Sequence, residues 1–125
     1  MTKVLITGGC GFIGTFFARY LIEEHNASKV YLYDHETLDE KPFEFRRALV
    51  ASHHKIELIV GDVKNSIEWI PAEPIDLVAN FAAVHREPGH EDYEYYTCNL
   101  LGAENVCHWA ERVGCGKMIF SSSIA

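Results

Sequence analysis

The sequence predicts an α/β fold of the doubly wound kind, in which helices cover both faces of a parallel sheet. Short apolar runs alternate along the chain with longer segments whose apolar residues recur at helical spacing. The run over residues 75–82 is almost wholly apolar, which is typical of a strand buried on both faces. Because strand–helix alternation implies right-handed crossovers between parallel strands, we expect about five strands with flanking helices.

The first half of the chain contains three of the predicted strands. Residues 3–7 form the first strand and lead directly into a glycine cluster. A helix is predicted over residues 12–25, because its apolar side chains recur three and four positions apart. Two further strands, at residues 29–33 and 56–60, flank a helix that lies within residues 38–50.

The second half supplies the two remaining strands. Residues 66–70 are expected to form one helical turn, and residues 75–82 the fourth strand. A long helix is predicted over residues 92–113, where two glycines stop it. Residues 117–121 then form the fifth strand.

Composition restricts the classes of function. The chain has 125 residues, the size of one domain, and a net charge of −7 from 11 basic and 18 acidic residues, which argues against a nucleic-acid or anionic-membrane partner. No apolar stretch approaches the roughly 18 residues that span a bilayer. The four cysteines form no C-x-x-C pair, which favours free thiols in a reducing cytoplasm. No metal site is predicted, since His53 and His54 have no further ligand at a suitable spacing.

The glycine cluster after the first strand is the main functional signal. Gly8, Gly11 and Gly14 fit G-x-x-G-x-x-G, and Gly9 with the last two fits G-x-G-x-x-G. One glycine permits a tight turn, another lets the backbone approach a pyrophosphate, and Gly14 lets the helix pack closely on the strand. The N–H groups at the start of the helix favour an anion. Taken alone, the cluster also fits an ordinary strand–helix turn.

Two aspartates favour the dinucleotide interpretation. Asp34 follows the second strand, where a carboxylate can accept hydrogen bonds from an adenosine ribose. It would repel a 2′-phosphate, and His35 and Glu36 follow rather than arginine, so the sequence favours NAD over NADP. The alternative is that Asp34 only caps a turn. Asp62 follows the third strand and would lie near the adenine, or would form an ordinary Asx turn.

Six segments resemble, in their order along the chain, the extended short-chain dehydrogenase/reductase family, which comprises NAD-dependent epimerases and dehydratases of nucleotide sugars. These segments are TGGCGFIG, YDH, GDV, NFAA, NLLGAENV and FSSSIA. The resemblance covers the whole chain. It implies a Rossmann-type fold, NAD as the cofactor, a nucleotide-sugar substrate and a homodimeric parent enzyme.

The resemblance also implies roles for individual residues. The glycine loop would hold the pyrophosphate, and other positions would contact the ribose, the adenine and the region near the nicotinamide. The implied cofactor-binding residues are Gly8, Gly11, Phe12, Ile13, Gly14, Asp34, Asp62, Val63, Phe81, Ala82, Ala83 and Asn99. Ser123 would be catalytic, because its hydroxyl would bond the reacting oxygen of the substrate. Ile124 and Ala125 follow it where the 4,6-dehydratases carry Asp-Glu, which favours an epimerase or a related oxidoreductase.

The Y-x-x-x-K pair of the family is missing from these 125 residues, since none of the six tyrosines has a lysine four positions later. We therefore expect a single NAD-binding domain, the N-terminal fragment of a longer enzyme, that does not turn over alone. Its fifth strand would be an edge that favours self-association. The alternative is a non-catalytic NAD-binding or sensing module on the same fold. Ser123 favours the enzyme, because a sensor needs no hydroxyl at the reacting carbon.

Overall fold

Five parallel strands form one sheet in a computed structural model that describes residues 2–35, 44–51, 53–82 and 96–121. The strand order is β3-β2-β1-β4-β5, so the chain reverses its direction of travel across the sheet between β1 and β4. The strands are β1 (Lys3–Thr7), β2 (Lys29–Asp34), β3 (Ile56–Val60), β4 (Leu77–Asn80) and β5 (Met118–Phe120).

Helices cover both faces of this sheet. The helical elements are α1 (Phe12–His25), α2 (Glu44–Ala51), a π-helical segment π1 (Tyr96–Leu101) and α3 (Gly102–Arg112). The first core cluster joins α1 and α2 to alternate residues of β1 such as Val4 and Ile6. The second joins α3 to Leu5 on the opposite face. Successive side chains of a strand point to opposite faces, so a central strand supplies both cores. The predicted doubly wound α/β fold is confirmed.

The strand lengths follow from the pairing register. β1, α1 and β3 have the predicted bounds, and β2 includes Asp34 as its last residue. β4 and β5 are shorter than the predicted 75–82 and 117–121. Thr7 pairs with Asn80, and Asn80 pairs with Phe120. Because β1 ends at Thr7, β4 has no partner residue beyond Asn80 on that side, so its ladder stops there.

In the described part of the long helix expected over residues 92–113, the chain is helical from 96 to 112, but it does not begin as a regular α-helix. The chain forms π1 and then α3, with Gly102 at the junction. A Cβ at Gly102 would lie 2.9 Å from Val63 Cγ2, so this glycine permits a close approach to the segment after β3. Apolar spacing does not distinguish a π turn from an α turn over so few residues, and the sequence therefore did not indicate the change.

Residues 61–76, all of which are described, connect β3 to β4 without a helix, and the helical turn expected at 66–70 does not form. Three α3 side chains, spaced four and three residues apart, donate hydrogen bonds to backbone carbonyls of this connection. The pairs are Asn105 Nδ2 with Val63 O (2.8 Å), Trp109 Nε1 with Trp69 O (2.7 Å) and Arg112 Nη2 with Ile67 O. Buried carbonyls need partners, and here side chains of α3 supply them.

Several apolar side chains of β5 and π1 are exposed. β5 is an edge strand of the described sheet, where Ile119 is 40% and Phe120 is 50% exposed. Leu100 and Leu101 of π1 are exposed as well. None of the helices in the described ranges combines the length and apolar character that crossing a bilayer requires.

Replacing Trp109 with phenylalanine should lower the free energy of unfolding by about 1–3 kcal/mol, because the Trp69 carbonyl loses its donor. The Trp109 side chain is fully buried and stacks on Trp69, with ring centroids 5.9 Å apart. Urea denaturation followed by far-UV circular dichroism measures the change. His108→Ala, on the exposed face of α3, should change stability by less than about 0.5 kcal/mol. Equal losses of unfolding free energy in the two variants would contradict a stabilising role for the hydrogen bond from the indole N–H to the Trp69 carbonyl.

Candidate functional site

The strand order reverses at β1 and β4, and in open α/β sheets ligands bind in the crevice outside the carboxyl ends of the strands at such a point. Thr7 and Asn80 are the last residues of these strands, and both are buried. Thr7 Oγ1 donates a hydrogen bond to Asn80 Oδ1, and Phe81 N donates to Thr7 O at 3.0 Å. These bonds fix the two strand ends side by side beneath the crevice.

Gly8 begins the turn after β1 and has a positive φ of 65°. Its N–H donates to Tyr33 O at 2.9 Å, which ties the turn to the end of β2. A Cβ at Gly8 would lie 2.8 Å from the backbone of Ala82. Glycine is therefore required here both for the backbone conformation and for the contact with the chain leaving β4.

Gly14, in the first turn of α1, lies directly against this loop. A Cβ at Gly14 would lie 2.8 Å from Gly8 O and 2.8 Å from Gly9 Cα. Real Cβ atoms do not approach backbone atoms so closely, so α1 could not lie at this distance from the loop with a larger residue at position 14. The first turn of α1 is thereby held over the crevice.

The start of α1 offers hydrogen-bond donors without a capping side chain. Its N-cap residue is Gly11, with φ −70° and ψ 173°, and no acidic residue lies in the first turn. The first α-helical bond runs from Thr15 N to Gly11 O at 3.1 Å. Phe12 and Ile13, whose N–H groups precede that bond, have side chains that are 68% and 61% exposed. This glycine-lined helix start fits a phosphate anion, because it combines N–H groups, the positive end of the dipole and close backbone access.

Asp34 lies at the end of β2, beside the glycine loop. Its Oδ2 accepts a hydrogen bond from Cys10 N at 3.0 Å, and its Oδ1 lies 3.2 Å from His35 Nδ1. The side chain is only 10% exposed. Through its bond to Cys10 N, Asp34 caps the glycine loop, which was one of the two roles that the sequence allowed. Its contact with a ribose stays a prediction.

Asp62 forms the Asx turn that was its alternative interpretation. Its Oδ1 accepts from Lys64 N at 2.9 Å, and its Oδ2 lies 3.7 Å from Lys64 Nζ. The preceding Gly61 is covered by the ring of Tyr33, which a Cβ there would strike. Burial raises the pKa of the Tyr33 hydroxyl, and the carboxylates of Asp62 and Glu68 raise it further, so this phenol stays neutral. The adenine contact of Asp62 stays a prediction.

The remaining predicted residues occupy different surroundings. The Val63 side chain is buried in the second core cluster, which leaves its backbone as the group that could reach a cofactor. Phe81 and Ala82 follow β4 beside the crevice, and the Phe81 ring packs edge-on against Phe17 at 5.5 Å. Asn99 lies half-buried in π1. The predicted residues Ala83 and Ser123 lie outside the described ranges.

Arg46 of α2 was not among the residues that the sequence indicated. Its Nη1 donates to Cys10 O at 2.6 Å, across 36 positions of the chain. Arginine is common on helix surfaces, and no spacing rule links α2 to the loop, so a single sequence carries no signal for this bond. Within the ranges that the structure describes, no group of three or more His, Cys, Asp or Glu side chains is arranged to hold a metal ion.

A family model described as NAD dependent epimerase/dehydratase family matches residues 4–125. The chain belongs to this family. Membership confirms the resemblance carried by the six sequence segments. It also confirms the predicted cofactor, because NAD is the cofactor that the family's description names.

Relatives of this chain include plant epimerases. It is 33% identical to UDP-glucose 4-epimerase 3 of Oryza sativa subsp. japonica, over 97% of this chain and 34% of that protein. It is 30% identical to the bifunctional UDP-glucose 4-epimerase and UDP-xylose 4-epimerase 1 of Pisum sativum, over 97% of this chain and 36% of that protein. The chain thus spans about a third of the length of these relatives.

Among solved structures, the UDP-Glc/GlcNAc 4-epimerase from Campylobacter jejuni is similar to this chain with a TM-score of 0.78. The match covers 99% of this chain and 38% of that one, at 22% identity. At this level of identity the match supports the Rossmann-type fold.

Gly14→Ala should lower the free energy of unfolding by about 1–3 kcal/mol, because the added methyl group meets backbone atoms that cannot move away. It should also weaken binding of NAD, since α1 must shift away from the loop. Thermal unfolding and calorimetric titration measure the two effects. Gly116→Ala is the matched control, because a Cβ there meets nothing within 4 Å. A stable Gly14→Ala chain with unchanged NAD affinity would contradict the close-packing argument.

Proposed function

We propose that this chain is the NAD-binding domain of an epimerase-type oxidoreductase that acts on a nucleotide sugar. The observation that carries the proposal is the glycine-lined, uncapped start of α1, which lies beside Asp34 at the reversal of the strand order. Membership of the NAD-dependent family supports the cofactor. The names of the rice and pea relatives support a nucleotide-sugar substrate.

Different residues of the site would hold different parts of NAD. Gly8, Gly11 and Gly14, with the backbone N–H groups of Phe12 and Ile13, would hold the pyrophosphate. The Asp34 carboxylate would accept hydrogen bonds from the adenosine ribose. When bound, NAD would supply the chemistry of accepting a hydride from the sugar and returning it.

The adenine and the nicotinamide half of the cofactor would be contacted by residues that follow β3 or β4 or lie in π1. Asp62 and the backbone of Val63 would meet the adenine. Phe81, Ala82 and Ala83 would line the ribose and phosphates, and Asn99 would organise the region beside the nicotinamide. The described members of these sets follow β3 and β4 or lie in π1.

We further propose that residues 1–125 form one domain, the N-terminal part of a longer enzyme. The relatives are about three times as long as the matched segment, which supports this. The Ser123 hydroxyl would bond the reacting oxygen of the sugar, and the chain alone would bind NAD without turnover. The parent would be a cytoplasmic homodimer, and the exposed apolar residues of β5 and π1 support self-association of this chain.

A non-catalytic NAD-binding or sensing module is the second candidate, because no tyrosine of the chain has a lysine four residues later. The coding sequence after Ala125 separates the two candidates. We expect it to continue into a Y-x-x-x-K on a following helix, which would supply the base for a sugar hydroxyl. A stop codon directly after Ala125 would exclude the enzyme and leave the sensing module.

The wild-type chain should bind NAD more tightly than NADP in calorimetric titrations, because the Asp34 carboxylate accepts from ribose hydroxyls and repels a 2′-phosphate. Asp34→Asn keeps an acceptor for Cys10 N but removes the charge. The substitution should weaken NAD binding by about 1.5–3 kcal/mol, or about ten- to a hundredfold. It should also reduce the ratio of the affinity for NAD to the affinity for NADP.

Asp76→Asn is the matched control for this titration. Asp76 also accepts a backbone hydrogen bond, from Lys3 N at 2.8 Å, but it lies at the amino end of the sheet, far from the crevice. Its substitution should leave both affinities unchanged. Equal or tighter binding of NADP by the wild-type chain would overturn the role given to Asp34.

A further inference from the structure

We propose that Arg46 is a positioning residue of the cofactor site, which holds the glycine loop in its anion-binding shape through the carbonyl of Cys10. The inference rests on the proposed NAD-binding function, and it assigns a part of that function to α2. Arg46 Nη1 lies 2.6 Å from Cys10 O. A short bond from a charged guanidinium is among the stronger hydrogen bonds in proteins.

Cys10 is held by three separate parts of the structure. Its N–H donates to Asp34 Oδ2 at 3.0 Å, from the end of β2. Its carbonyl accepts from Arg46 of α2. Its side chain is 1% exposed and belongs to the first core cluster, which α1 and α2 share. A carboxylate and a guanidinium therefore fix the two polar backbone groups of a single loop residue.

The next peptide unit is held at both of its ends. It consists of the Cys10 carbonyl, bonded to Arg46, and the Gly11 N–H, which donates to Gly8 O at 3.1 Å. The bond between Gly11 and Gly8 is internal to the loop. Arg46 is thus a group from outside the loop that fixes the orientation of this peptide.

This orientation matters because Gly9 and Gly11 flank Cys10. Glycine has the largest backbone freedom of any residue, so a loop with glycines on both sides of one residue can rotate that residue's peptide units at little steric cost. A rotated Cys10 carbonyl would place partial negative charge near the start of α1, where a phosphate is expected. Arg46 removes this alternative by binding the oxygen with a cation.

The inference predicts a selective effect on ligands. An ordered loop favours any ligand with a pyrophosphate, since less conformational freedom is lost on binding. Adenosine, which has no phosphate, should not depend on the orientation of the Cys10 peptide. Comparing the affinities of a variant for ADP and for adenosine therefore distinguishes a positioning role of Arg46 from a general loss of folding.

The test uses three variants of the 125-residue chain, with NMR titrations of ADP and adenosine and a calorimetric titration of NAD on the wild type. Arg46→Gln should lower the affinity for ADP by about tenfold and change that for adenosine by less than about twofold. Arg46→Lys should recover part of the loss, because an ammonium group can donate to the same carbonyl with poorer geometry. Lys117→Gln, which removes an exposed positive charge at the amino end of β5, should match the wild type.

The outcomes distinguish the inference from the function on which it rests. If the wild type binds NAD and Arg46→Gln binds ADP equally well, the inference is overturned and the proposed function stands. Equal losses of affinity for ADP and adenosine, or equal effects of Arg46→Gln and Lys117→Gln, would assign Arg46 to folding or to general charge and would also overturn the inference. A wild-type chain that binds no NAD would overturn the proposed function and this inference together.

Discussion

The contact between α1 and the glycine loop is the constraint on which the site depends. Gly14 touches Gly8 and Gly9 through backbone atoms, so the axis of α1 is fixed relative to the end of β1. Gly8 in turn lies against the backbone of Ala82, after β4. The helix start, the turn and the two strand ends are therefore packed against one another through backbone atoms, and a larger residue at Gly8 or Gly14 would force them apart.

The two faces of the sheet support this group in different ways. On one face, α1 and α2 pack on the strands, and Arg46 extends from α2 to the loop. On the other face, the β3–β4 connection has no helix, and α3 bonds it through side chains such as Asn105 and Trp109. The irregular segment 61–76 is therefore held by α3, so the region around Asp62 that is expected to meet the adenine is positioned by a helix far along the chain.

The sequence was sufficient for the fold, because burial on alternate strand faces and helical spacing are local patterns. The bounds of β1, α1 and β3 could be read directly, whereas the ends of β4 and β5 depend on which strand pairs beside them. The glycine loop and Asp34 could be predicted because their spacing is local. Arg46, Asn105 and the Thr7–Asn80 pair could not, because each is a contact between polar residues far apart in the chain, and such residues also occur on any solvated surface.

The two interpretations of Asp34 are compatible in physical terms. One oxygen is bonded to Cys10 N, and a carboxylate has about four acceptor sites on its two oxygens, so the loop bond by itself does not exclude hydroxyl donors. The same bond also restricts the side chain to one orientation before any ligand arrives, which reduces the entropy that binding would cost. The observed bond to the loop is therefore compatible with the proposed hydrogen bonds from a ribose to the same carboxylate. Because Cys10 carries both the Asp34 and the Arg46 bonds, the carboxylate proposed to bind the adenosine ribose and the loop proposed to bind the pyrophosphate are connected through that residue.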